Sequence, residues 1–185
     1  MKKVLTKGIT VLALLVVLLS GLPTNKAEAA SKSTANQDLI IINKYYNKLV
    51  YYQDGSLEMV KSVATGKSWE NTPVGFFKVV NKIKNRPYYK GKIPGGDPRN
   101  PLGNRWIGLN ANGTYGDTYA IHGNNNPSSI GKYVSLGCVR MHNADVTKLF
   151  DKVKVGTPVA ITYSYKSFEE LTAVYGYDFK GYSTK

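Results

Sequence analysis

Residues 119–145 read YAIHGNNNPSSIGKYVSLGCVRMHNAD, and they hold both histidines and the sole cysteine of the 185-residue chain. Tyr119 to Ile121 is a short apolar segment that runs into His122, which Gly123 follows. Cys138 comes after Gly137 in a Ser-Leu-Gly-Cys run, with Arg140 two positions beyond. A free thiol is only a few per cent thiolate at neutral pH, and an imidazole, a guanidinium and exposed backbone N–H groups each favour the anion. The stretch therefore supplies the residue types that a thiol nucleophile needs. Three readings stay open on spacing alone. One is Cys-His acyl transfer. Another is a metal site from His122, Cys138 and His142, although no second cysteine or carboxylate set completes a tetrahedral shell. The third is a buried structural thiol in a binding module without chemistry.

Working outward, short β-type segments flank this stretch. Leu39 to Ile42 is a β-branched run. Lys48 to Tyr52 follows, and Asp54-Gly55 is a hairpin turn signal with Glu58 to Ala64 as the return strand. Val74 to Val80, Arg105 to Leu109 and Val159 to Tyr163 are further strand candidates. Strands this short, with turn residues between them, predict a mainly β sandwich or barrel with one or two short helices. The first helix is expected over Asn143 to Val153, with Asn143 as cap and Val146, Leu149, Phe150 and Val153 on one face. A second is expected over Ser167 to Tyr175. Residues 85–104 hold four prolines and four glycines, which no periodic element survives; a loop of that length in a compact domain reads as a lid or a disordered segment. Gly66-Lys67-Ser68 mimics the end of a phosphate loop, but Lys61 stands where that motif needs glycine.

The N-terminus has a different character. Lys2, Lys3 and Lys7 precede an apolar run from Ile9 to Leu19, and Ala27-Glu28-Ala29 offers a small-x-small cleavage site. Residues 1–29 are thus expected to be a signal peptide, with 30–38 a polar spacer, 39–164 the main folded domain and 165–185 a C-terminal extension. The run is shorter than the ~20 apolar residues of a membrane span. The formal net charge of +13 over the whole chain points to anionic partners. Export argues against nucleic acid and for anionic wall polymers or phospholipid. One cysteine excludes an intrachain disulfide framework.

Around His122 and Cys138 the chain resembles the YkuD-type L,D-transpeptidases of bacterial cell walls. The family pattern is His-Gly, a gap, then Ser/Thr-x-Gly-Cys-x-Arg; here it reads His122-Gly123 and Ser135-Leu136-Gly137-Cys138-Val139-Arg140. Thr65-Gly66-Lys67, Thr72-Pro73-Val74-Gly75, Arg105-Trp106-Ile107-Gly108, Ser129-Ile130-Gly131 and Gly156-Thr157-Pro158-Val159 match as flanking landmarks. Asn124 stands where many members carry Thr, and Leu136 where some carry His.

The resemblance implies a YkuD-like β-sandwich domain and peptidoglycan cross-linking by a cysteine acyltransferase sensitive to carbapenems. It implies Cys138 as nucleophile, His122 as general base and acid, the Gly123 carbonyl as its orienting partner and Gly137 as an oxyanion N–H. Ser135 and Arg140 are expected to hold the Cys loop and substrate. Tyr119, Tyr133, Asn124, Trp106 and Tyr115 are expected along the groove, core packing being the competing reading for Trp106. No cofactor and no metal are expected. The expected partners are peptidoglycan stem peptides, met by an exported monomer in the cell wall. An L,D-carboxypeptidase using water, or a degenerate wall-binding protein, are the alternatives.

Overall fold

The computed structural model describes residues 37–180, 182 and 183. The expected signal peptide and nearly all of the expected spacer lie outside them. In chain order the strands are β1 (Leu39–Asn43), β2 (Lys48–Gln53), β3 (Ser56–Ser62), β4 (Thr65–Gly66), β5 (Gly75–Lys84), β6 (Arg105–Leu109), β7 (Tyr119–His122), β8 (Tyr133–Ser135), β9 (Val139–Arg140) and β10 (Pro158–Thr162), with helices α1 (Asn143–Lys152) and α2 (Phe168–Val174). The fold is mainly β with two helices. Eight strands form one sheet in the order β3-β2-β1-β10-β5-β6-β7-β9, and β4 pairs with β8.

The β-branched run forms β1, which lies between antiparallel β2 and parallel β10. Its side chains alternate between two cores. Ile40 and Ile42 enter one, and Leu39 and Ile41 enter the other. A strand buried on both faces needs no polar alternate, which is why the run is continuously apolar. Asp54 and Gly55, at φ 48° and 80°, supply the two left-handed residues of the tight turn joining β2 to β3. The Asp38 carboxylate accepts from the Tyr51 hydroxyl at 3.2 Å and from the Asp54 N–H at 3.1 Å, tying the hairpin down.

The larger core gathers Leu49 of β2, Ile107 of β6, Ile121 of β7 and Val139 of β9 around Val146, Leu149 and Phe150 of α1. Strands from both ends of the sheet share it because the sheet curls around α1. Ala64, just past β3, exchanges two backbone hydrogen bonds with Arg140 at 2.8 and 2.9 Å. That bridge closes the curl and leaves β9 without an open edge. On the other face, Phe168 and Leu171 of α2 and Phe179 cover Leu39, Ile41, Val50 and Tyr52. Phe168, Leu171 and Phe179, within the expected C-terminal extension, are thus part of a core. Ser167 and Glu170 form a reciprocal capping box that starts α2.

The start of α1 differs from the expectation. His142 occupies the cap position without a side-chain bond, and Asn143 is the first helical residue. The Asn143 amide is engaged elsewhere: it donates to the Asn124 carbonyl at 2.9 Å and accepts from the Asn124 N–H at 3.0 Å. That two-way link fixes the loop after His122. Residues 85–104 form the expected non-periodic loop, with a single 3-10 turn at Tyr89–Gly91. Buried Asn100 holds it by donating to the carbonyls of Arg86 and Pro94 at 3.0 and 3.1 Å.

Candidate active site

Three adjacent strands set the geometry. Trp106 on β6 is the register partner of His122 on β7, and His122 is the register partner of Arg140 on β9. Cross-strand partners project to the same face, so indole, imidazole and guanidinium form a row. Their neighbours Ile107, Ile121 and Val139 point into the core. Cys138 immediately precedes β9. The parallel β7/β9 pair therefore brings the thiol and the imidazole, sixteen residues apart in sequence, to the wall of one cavity at the sheet edge.

The Cys138 loop has little freedom. Gly137 sits at φ +149°, and a Cβ there would lie 2.8 Å from the Asn71 carbonyl oxygen and 3.0 Å from the Tyr119 ring. Glycine is therefore required on both conformational and steric grounds. The Gly137 carbonyl accepts from Thr72 Oγ1 at 2.9 Å, and the same hydroxyl accepts from the Gly66 N–H at 2.8 Å. Buried Lys44 donates to the carbonyls of Thr72 and Trp69, both at 2.6 Å. The Gly137 N–H donates to Ser135 Oγ at 3.1 Å. Ser135 thus braces the loop from within, and the N–H expected at the oxyanion position is bonded to its hydroxyl.

His122 is 3% exposed. Its Nδ1 lies 2.6 Å from the Gly123 carbonyl oxygen. A carbonyl only accepts, so Nδ1 carries the proton and Nε2 is left as the acceptor. Burial is the main cause that lowers the imidazole to about 4, and the Arg140 and Arg86 charges push the same way. The Gly123 and Leu102 carbonyls oppose the shift. Burial also pushes the Cys138 thiol up, while the Ala120 N–H and the Arg86 and Arg140 guanidinium groups favour its anion. Cys138 Sγ donates to the Thr118 carbonyl at 3.3 Å. At neutral pH the pair rests as thiol and neutral imidazole, an arrangement for proton transfer during attack.

A cavity of about 440 Å³ opens over these groups, lined by Cys138, His122, Arg140, Ser135, Trp106 and Tyr119 and, from the 85–104 loop, by Arg86, Pro87, Tyr88 and Leu102. Trp106 is both core and wall: it is buried, its Nε1 donates to the Gly116 carbonyl at 2.7 Å, and its ring stacks on His122 with centroids 5.5 Å apart. Three expected groove residues lie elsewhere. Tyr133 bonds the carbonyls of Lys44 and Tyr45 and lines a separate cavity with Trp69 and Tyr163. Tyr115 is 87% exposed outside the cavity wall. Asn124 is buried, its Nδ2 donating to the Met141 carbonyl, so it braces the loop after His122. His142 is exposed. Among the described residues no three His, Cys, Asp or Glu side chains are grouped to hold a metal ion.

Sequence reasoning missed Arg86, Thr118, Thr72 and Lys44. Two of them left a signal, Arg86 as a cation in the loop read as a lid and Thr72 as part of a flanking landmark.

The family model for the L,D-transpeptidase catalytic domain, YkuD, matches residues 37–161. The chain belongs to this family. YqjB of Bacillus subtilis, named as an L,D-transpeptidase, is 52% identical over 132 residues, covering 71% of this chain and 75% of that protein. YkuD of Bacillus subtilis, also so named, is 43% identical over 99 residues, 54% of this chain and 50% of that protein. Among solved structures, the catalytic domain of the Enterococcus faecium L,D-transpeptidase acylated by ertapenem superposes with a TM-score of 0.52 at 23% identity, covering 68% of this chain and 97% of that one. An L,D-transpeptidase from Mycobacterium smegmatis gives 0.51 at 22%, covering 68% and 58%. The chain thus spans only half to three fifths of several of these longer relatives.

Proposed function

We propose that the protein is an exported peptidoglycan L,D-transpeptidase with Cys138 as nucleophile. The observation that carries this reading is the shared cavity of Cys138 and a His122 whose Nδ1 proton is tethered to the Gly123 carbonyl. His122 Nε2 takes the thiol proton as sulfur attacks the carbonyl of the third-position diamino acid in a stem tetrapeptide. The oxyanion is met by backbone N–H groups at Cys138 and Gly137, the latter once it leaves Ser135 Oγ; one such donor is worth about two to three orders of magnitude in rate. The carbon–nitrogen bond breaks, the imidazolium proton goes to the departing amine, and D-Ala leaves. An amine of a neighbouring stem then attacks the thioester, and the thiol re-forms as it is displaced. Splitting the transfer in two is the logic of covalent catalysis.

The test is mass analysis of purified disaccharide tetrapeptide incubated with the protein. A dimer with loss of one D-Ala is expected from the wild type, and none from Cys138→Ala. Dimer formation by Cys138→Ala sinks the mechanism.

A further inference from the structure

Two guanidinium groups face the Cys138 cavity without an acidic partner. Arg140 lies in register with His122, and neither it nor Arg86 forms an ion pair among the described residues. Arg86 is held by packing: its guanidinium lies 3.9 Å from the centroid of the Trp106 ring, which also stacks on His122. Its backbone carbonyl accepts from buried Asn100 Nδ2, which fixes the loop that delivers it. Both groups are half-buried. The acid on the cavity wall, Asp117, accepts from the Thr118 hydroxyl at 3.1 Å and pairs with neither arginine. A planar guanidinium seated on an aromatic face keeps its N–H edge free and presents it in a fixed orientation. Arg86 held in this way and Arg140, both on the wall of the cavity that holds Cys138, form a subsite for a carboxylate.

The proposed reaction supplies one. When the scissile amide joins the diamino acid to a single terminal residue, the α-carboxylate of that residue is separated from the scissile carbonyl carbon by only the amide nitrogen and one Cα. We infer that Arg86, with Arg140, reads the free terminal carboxylate of the donor peptide and so selects donors ending one residue past the scissile bond. The inference rests on the reading of Cys138 as nucleophile. It adds a specificity-determining residue outside the Ser-x-Gly-Cys-x-Arg run. A donor whose terminus is amidated loses the charge that the two guanidinium groups meet.

The experiment compares a synthetic stem tetrapeptide with its C-terminal carboxamide, following release of D-Ala or D-alaninamide by wild type and Arg86→Gln. The wild type is expected to prefer the free acid in kcat/KM by about 30-fold, and Arg86→Gln to reduce that preference to about 3-fold, in line with the strength of charge-assisted hydrogen bonds. Equal use of both donors by the wild type overturns the inference. So does an equal loss on both donors in Arg86→Gln, which is the signature of a residue that merely props Trp106 against His122. If the wild type turns over neither donor, the proposed function fails and alkylation of Cys138 decides the inference. The rate ratio of iodoacetate to iodoacetamide is then expected to drop about tenfold in Arg86→Gln, and an unchanged ratio overturns it.

Discussion

The neutral, buried imidazole makes folding stability depend on pH in a way that one substitution isolates. His122 titrates near 6.5 when unfolded and at about 4 when folded. Between those values the unfolded chain binds more protons, so stability rises with pH and is lost as pH falls from 6.5 toward 4. That drop corresponds to about 3 kcal/mol when fully expressed. At pH 4.5 most of it is felt, and at pH 7 almost none. The perturbation is His122→Gln, and the assay is urea unfolding of both proteins at pH 7.0 and pH 4.5. The variant changes stability at both pH values by losing the Gly123 bond and the Trp106 stack. That part cancels in the comparison, as do the carboxylates common to both proteins. The wild type is expected to lose about 2 kcal/mol more than the variant on going to pH 4.5. Identical pH dependence would refute the claim that His122 rests buried and neutral, and with it the assignment of a neutral base to the proton transfer.

Three further outcomes follow from the same geometry. Thr72→Val keeps the shape but removes the hydroxyl between Gly66 and Gly137; it is expected to cost about 1–3 kcal/mol in urea unfolding and to slow acylation of Cys138, and an unchanged midpoint argues against the brace. Gly137→Ala adds a Cβ within 2.8 Å of the Asn71 carbonyl oxygen at a positive φ; it is expected to cost about 1–3 kcal/mol and abolish turnover, so a stable, active variant contradicts the loop geometry. Because burial raises the Cys138 thiol above its ordinary value, its alkylation by iodoacetamide is expected to climb with pH beyond 9, whereas a plateau reached by pH 7 shows a standing thiolate–imidazolium pair.

Much of the fold was legible because it depends on local pattern. Leu39–Ile42, the Asp54-Gly55 turn, Arg105–Leu109 and the short helix within Ser167 to Tyr175 each carry their structure in neighbouring residues. The curl was not legible, since it hangs on the two-residue strand Val139–Arg140 and its bridge to Ala64, too short to show any period. The site divides the same way. Cys138, His122 and Gly123 were marked by motif, but Arg86 and Thr72 reach the site through long-range folding. Tyr133 shows the converse, being five residues from Cys138 in sequence yet turned to another cavity. Asn143 has cap chemistry, but the tertiary link to Asn124 takes its side chain.

The most direct test of the central claim is the intact mass of the protein after exposure to ertapenem, the compound that acylates the Enterococcus faecium catalytic domain of like fold. The account predicts one stoichiometric adduct on the wild type, none on Cys138→Ala and slow formation on His122→Ala. An adduct of equal yield on Cys138→Ala, or none on folded wild type with a titratable thiol, would contradict it.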